Sequence, residues 1–415
     1  MYNKEAPPYV KKVNSTLTMK KFIFAIFSIL PFTSISGVNR TLDDTALAIL
    51  KGSAEFSIDN FSLTSFSENV KTEHNLPDPQ LDGEYLVAPT NEDNRWAAEL
   101  SWGLEWPGVY RQRGRESDLK IEAAKRNLML KRVERLAEIR MLLLDYILCK
   151  KKLLILDDLA LNNDSIYHLS EKAGERGEMT MLDINKVRLE YANIRAAKAG
   201  ILNEEADIIA SLSAIYNEDC SQLLSELKCD FPDIYIPTEN DLSEISNRAP
   251  AIETAMAEAD IVRQTRKVSV MEALPNISFG YKHAYEDGIH FNGATLGISV
   301  PIFSSAGKQK AAKAAIAESD LRIEAAKSAT DTEIKALYNK LSLLKTQLDE
   351  IEPIVRRSDS NSLLLKAYRE GLITIIDYLT ERNYFTSAEL EILSLHHAAA
   401  IAQTQLQKYM QLPEL

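Results

Sequence analysis

The sequence predicts a mainly α fold with a small β part: long antiparallel coiled-coil hairpins, each preceded by short strands, laid down twice along one chain. Three observations carry this. Helix breakers are scarce, with 15 Gly and 14 Pro among 415 residues, so helices can run far without interruption. Ile334, Leu337, Leu341, Leu344, Leu348, Ile351 and Val355 alternate at spacings of three and four, as in a coiled-coil seam. Motifs of different kinds recur at one fixed offset, which marks an internal two-fold repeat.

Composition removes several function classes. Hydrophobic residues make up 45% and charged residues 26%, which argues against wholesale disorder. A net charge of −12 excludes a general nucleic-acid binder, because neutralising phosphates takes clustered Lys and Arg. The three cysteines, Cys149, Cys220 and Cys229, form no C-x-x-C pair. Only His396 and His397 of the six histidines are adjacent, and neighbours in a helix point to different faces. No metal site and no cofactor is therefore expected. G-x-S-x-G, H-E-x-x-H and P-loop motifs are absent, so no enzyme is expected.

The elements follow in order. Residues 1–36 read as an upstream extension and a signal peptide. Met19-Lys20-Lys21 precedes the apolar run Phe22 to Leu30, then Pro31 and the small residues Ser34 to Gly37, with cleavage expected near Ser36. That run is about half the ~20 residues that cross a bilayer as a helix. Met19 is a second, better-placed start. Export places the chain in an oxidising compartment, where the sequence leaves open whether Cys220 and Cys229 pair.

The first repeat is expected over 37–216. A helix occupies part of Leu42 to Lys71. A short strand, Leu81 to Val87, is set between Pro77, Pro79 and Pro89. The next strand, Trp96 to Trp106, has the clearest period of two. Trp96, Ala98, Leu100, Trp102, Leu104 and Trp106 alternate with Ala97, Glu99, Ser101, Gly103 and Glu105. Its length matches the ~9–11 residues of a tilted transmembrane strand, and tryptophans at both ends fit two aromatic girdles. Trp96, Trp102 and Trp106 are thus the candidate membrane-facing aromatics. Helices over about 112–170 and 183–216 complete a hairpin.

Residues 217–250, with Pro232, Pro237 and Pro250, read as a linker or belt. The second repeat, 251–415, opens with a helix to about Ala273. Strands Asn276 to Tyr285 and Phe291 to Val300 flank the turn Glu286-Asp287-Gly288. A helix then runs from 308 to about Tyr368, roughly 60 residues or ~90 Å, with a kink expected at Pro353. The last helix follows Asp377, with Leu390, Leu393, Ala398, Ile401 and Leu406 as buried candidates.

The repeat is explicit at the turns. Ala367 to Asp377 matches Ala173 to Asp183, with Gly371, Thr374 and Asp377 each 194 positions after Gly177, Thr180 and Asp183. Arg382 and Arg188, and Pro301 and Pro107, share that offset. A second likeness, Asp118 to Lys125 against Asp320 to Lys327, falls at 202 and cannot share one gap-free alignment. The offset of 194 is preferred because it joins motifs of different kinds. At each turn the glycine permits left-handed backbone, and Thr followed by Asp suits a helix N-cap. A symmetric ring of the same aspartates would attract cations. Both roles stay open for Asp183 and Asp377. Four short strands cannot close a barrel in lipid, where open edges are forbidden, so strands in a membrane must join those of other copies.

Tyr368 to Leu379, with the series Tyr-Arg-Glu-Gly-Leu-Ile-Thr-Ile-Ile-Asp, resembles the signature of the TolC-like outer-membrane efflux family, the outer membrane factors of tripartite efflux systems. Asn247-Arg248-Ala249-Pro250 followed by Leu274-Pro275-Asn276 is similar to the same family. Leu76-Pro77-Asp78-Pro79 looks most like its metal-cation efflux branch. The resemblance spans about residues 40–410. It implies a homotrimer in the outer membrane of a Gram-negative bacterium, each subunit lending four strands to one twelve-stranded barrel. It implies that the helices form a long periplasmic tunnel whose tips meet a periplasmic membrane-fusion adaptor joined to an inner-membrane pump. The role implied is passive export of small molecules or metal cations, in an RND-type or similar efflux system or in type I secretion. It places adaptor contacts at Gly177, Gly371, Thr180 and Thr374, and the periplasmic constriction at Asp183, Asp377 and Tyr368. Ile373 and Thr380 stand where some members carry a basic and an acidic residue, which thins the implied gate. The alternative class is a periplasmic coiled-coil adaptor or scaffold.

Overall fold

The structure is a computed structural model, and it describes residues 40–87, 94–301, 307–357 and 361–410. The expected signal peptide lies outside the described residues. The described residues fall within one compact unit.

Helix α1 (Leu42–Gly52) starts at a capping box in which Thr41 accepts from Asp44 N–H, and α2 (Ala54–Thr72) follows from N-cap Ser53. Strands β1 (Gln80–Leu86) and β2 (Arg95–Leu104) come next. Helix α3 (Pro107–Glu175) has 69 residues and pairs with α4 (Met181–Tyr216). The segment expected as a linker holds two short helices, α5 (Ser221–Ser225) and α6 (Glu239–Asn247). It also carries a parallel bridge from Leu227 to Arg40. Helix α7 (Pro250–Met271), β3 (Asn276–Glu286), β4 (Ile289–Ser299), α8 (Lys308–Arg357), α9 (Asn361–Arg369) and α10 (Ile375–Gln407) complete the second half.

The strands form one antiparallel sheet in the order β1-β2-β3-β4. The two halves of the chain therefore join through β2 and β3, and β1 and β4 are left as edges. The β3–β4 turn has positive φ at Asp287 and Gly288, the geometry of a type I′ hairpin.

Two apolar clusters bind the helices around the middle of the chain. One joins α1, α3 and α4 through Ile49, Ile139, Leu143, Ile147 and Leu212. The other joins α6, α7, α8 and α10 through Ile252, Ile334, Leu341, Leu348, Ala399 and Leu406.

Several expectations need correction. β2 ends at Leu104, so Trp106 is not a strand residue; it is the N-cap of α3, with Pro107 in the first turn. Proline's fixed φ suits a first helical position, so the helix begins earlier than residue 112. The expected helix from 308 to 368 is described as α8 and α9. Pro353 lies inside α8, where it removes one backbone hydrogen bond. The seam of α8 fades: Ile334, Leu341 and Leu348 are buried, whereas Ile351 is exposed. In α10, Leu406 is buried, but Leu390, Leu393, Ala398 and Ile401 are only half-buried, and Ala399, Ala400 and Ala402 are the covered residues. Cys149, Cys220 and Cys229 are all free, and the Cys220 thiol lies 3.1 Å from Ser213 Oγ.

Candidate functional site

Two regions hold the expected residues: the helix tips and the sheet. At each tip the helix stops in the same way. Gly177 has φ +70° and Gly371 φ +74°. Gly177 N–H donates to Gly174 O and Glu178 N–H to Ala173 O, at 3.0 and 2.9 Å. Gly371 N–H donates to Tyr368 O and Leu372 N–H to Ala367 O at the same distances. This pair of bonds is a Schellman cap, which needs a left-handed residue after the helix.

The return helices start alike as well. The Thr180 hydroxyl accepts from Asp183 N–H at 3.2 Å and donates to Asp183 Oδ2 at 2.7 Å. The Thr374 hydroxyl accepts from Asp377 N–H at 3.1 Å and donates to Asp377 Oδ2 at 2.6 Å, and Thr374 N–H donates to the same oxygen at 3.1 Å. These hydrogen bonds, first the Thr374 hydroxyl and then its backbone N–H, hold the Asp377 carboxyl below the usual carboxylate range. Within this chain the threonines are the N-caps, both aspartates sit at the third helical position bound to them, and Asp377 completes a capping box.

The two tips pack against each other. Ile166 of α3, Val187 of α4, and Tyr378 and Leu379 of α10 form one buried cluster, with Tyr368 half-buried against it. The Tyr368 and Tyr378 rings lie 5.5 Å apart, and burial pushes the Tyr368 hydroxyl up. The matched arginines take different partners. Arg188 holds Glu171 with two bonds of 2.7 and 2.8 Å, tying α4 to α3. Arg382 is buried and pairs with Asp158, tying α10 to α3. Farther along, His397 Nε2 lies 2.7 Å from Asp145 Oδ1, a second tie between α10 and α3. The sequence offset singles out the arginines but not their partners, because those depend on how the hairpins pack.

The sheet has two different faces. The register puts Leu81 against Leu100, Leu100 against Tyr281, and Tyr281 against Ala294. The same row structure aligns Tyr85, Trp96, Tyr285 and His290, and also Trp102, Phe279 and Leu296. One face is thus apolar and aromatic over all four strands, yet uncovered: Leu81 and Leu296 are each 77% exposed and Ile298 69%. Trp96 is exposed on it, while Trp102 is half-buried and donates its indole N–H to Pro77 O at 2.7 Å. Trp106 is exposed just beyond the strand. The opposite face carries Asp82, Glu84, Glu99, Ser101, Lys282 and Thr295 with glycines between them. Thr295 Oγ1 donates to Glu99 Oε1 at 2.7 Å. Among the described residues no helix is long and apolar enough to cross a membrane, and no group of three metal-ligating His, Cys, Asp or Glu side chains occurs.

No protein-family model matches the chain, and no curated protein matches it. Solved structures do. The Campylobacter jejuni CmeC outer membrane channel is similar with a TM-score of 0.71 and 14% identity, over 89% of this chain and 85% of that one. The outer membrane protein VceC from Vibrio cholerae is similar with a TM-score of 0.70 and 13% identity, over 89% and 95%. CusC, in structures that describe transmembrane channel formation, is similar with a TM-score of 0.70 and 14% identity, over 90% and 92%. With its long helical hairpins and small four-stranded sheet, the chain has the TolC-like fold of these outer-membrane channels.

Proposed function

We propose that the chain is one subunit of an outer-membrane export channel and has no catalytic role. The observation that carries this is the sheet: among the described residues its apolar face is uncovered across four strands and its two edges are unpaired. In water such a face and such edges are a liability. In a bilayer the face is satisfied by lipid, and the edges are satisfied only if copies join strand to strand. Three copies would give a twelve-stranded barrel with the polar face lining the pore.

On this basis the long hairpins extend into the periplasm and enclose a duct. Gly177, Thr180, Gly371 and Thr374 stand at the tips, where a periplasmic adaptor linked to an inner-membrane pump would dock. Asp183 and Asp377 would form an acidic constriction, with Tyr368 beside it. Leu76-Pro77-Asp78-Pro79 resembles the metal-cation efflux branch, and the cargo classes stay those of the family, small molecules or metal cations.

All three tryptophans of the chain lie between 96 and 106, so intrinsic fluorescence reports on this strand region alone. With the chain reconstituted in vesicles, quenchers carried on lipid acyl chains should quench this emission strongly. Emission quenched only by aqueous iodide would overturn the proposal.

A further inference from the structure

The β3–β4 hairpin brings together two histidines that lie seven positions apart. His283 pairs in register with Asn292, and Tyr285 with His290, so both imidazoles stand on one face. His283 Nε2 and His290 Nδ1 are 3.4 Å apart. The ring centres are 5.3 Å apart, with the planes inclined by 22°.

The other nitrogen of His283 is committed. Its Nδ1 lies 2.6 Å from Asn292 Oδ1, which also accepts from Tyr281 OH at 2.7 Å. A carbonyl oxygen only accepts, so the ring hydrogen of His283 sits on Nδ1 and Nε2 carries a free lone pair. That lone pair faces His290. The separation is long for an N–H···N bond, where about 3.0 Å is usual. Two imidazoles bound at about 2.0–2.1 Å to one tetrahedral ion would place their nitrogens about 3.4 Å apart and their ring centres about 5.2 Å apart. The nitrogen separation in the hairpin is that of a shared ion rather than of a short hydrogen bond, and the ring-centre separation is compatible with it. Trp96 stands 5.2 Å from the His283 ring and Tyr285 5.0 Å from the His290 ring, walling two sides. His290 is exposed, so water can complete the coordination.

We infer that His283 and His290 form a binding site for a divalent transition metal of the kind imidazole prefers, such as zinc or copper, with Asn292 as a positioning residue that fixes the His283 tautomer. The ion is a staple across the hairpin beside its turn. The site needs only this hairpin and not the cargo; on the channel reading it lies at the turn end of the lipid-facing side of the sheet, beside Asp287 and Gly288, where water reaches it.

The test uses the untagged full chain in detergent with copper(II) as the probe and electron paramagnetic resonance as the readout. One ion per chain is expected, with a two-nitrogen imidazole signature that zinc displaces. His283→Ala and His290→Ala should each abolish that signature. The double variant His396→Gln with His397→Gln should keep it, because those residues are elsewhere. Asn292→Ala should keep the signature but weaken affinity about 10–100-fold. A signature unchanged in both single histidine variants, one lost in the His396/His397 variant, or no retained ion would overturn the inference.

Discussion

The turn residues show how far single positions determine structure. Gly177 and Gly371 need left-handed backbone, and a Cβ built on either meets nothing within 4 Å. The cost of Gly371→Ala is therefore conformational alone, about 1–2 kcal/mol, and should appear in chemical denaturation. Thr374→Ala removes an N-cap and should cost about 1 kcal/mol. Asp377 adds a pH dependence. Its carboxyl is held below its unfolded value, so its contribution is present at neutral pH and is lost as pH falls below about 4 and through the folded value. The stability difference between the native chain and Asp377→Asn should shrink over that acid range in a pH series of unfolding curves. Cys149 is buried in the α3 core, and burial, with Glu204 adding to it, pushes its thiol up to about 11. It should resist thiol reagents at pH 8 in the folded chain and react on unfolding, as mass spectrometry would show. Glycines, threonines and aspartates at the turns were legible in the sequence because their roles are local. The Arg382–Asp158 pair and the His283–His290 pair were not, because one needs tertiary packing and the other a strand register.

At the scale of elements, the spacing of apolar residues revealed which helices exist but not how deeply each residue sinks. The α8 seam shows the difference. Leu341 is fully buried, yet Ile354, beside the last seam residue Val355 but off the seam, is 64% exposed. Leu341→Ala should cost about 2–5 kcal/mol, while Ile354→Ala should change monomer stability by no more than about 0.5 kcal/mol. Thermal unfolding of the two variants side by side separates them. Period alone could not predict this, because the neighbours of a helix decide which part of its stripe is covered. The same holds at the start of α3. Alternation carried the strand to Trp106, but Pro107 favours a helical first turn and ends the strand at Leu104. In α10 the half-burial of Leu390, Leu393 and Ile401 has the same cause: the covered side faces α3 and α8, and the small residues Ala399 and Ala402 permit the close approach.

For the whole molecule, the order of parts was readable in the sequence even though CmeC, VceC and CusC, which share the fold, are only 13–14% identical. Strand period, breaker spacing and a duplicated turn motif are patterns over many residues, so they can be read from this one sequence. In the proposed channel, cargo and gate strength would depend on a few pore-facing groups that only the assembly brings together. If Asp183 and Asp377 ring a constriction, Asp183→Ala with Asp377→Ala should raise single-channel conductance and lower divalent-cation block in planar bilayers; unchanged conductance and block would confine the aspartates to capping.

The central claim is that several identical chains share one closed sheet in lipid, and the native mass of the detergent-extracted protein tests it most directly. A trimer that resists heating, recovered from the outer-membrane fraction, is the predicted result. A monomer found only in the soluble periplasmic fraction would contradict it.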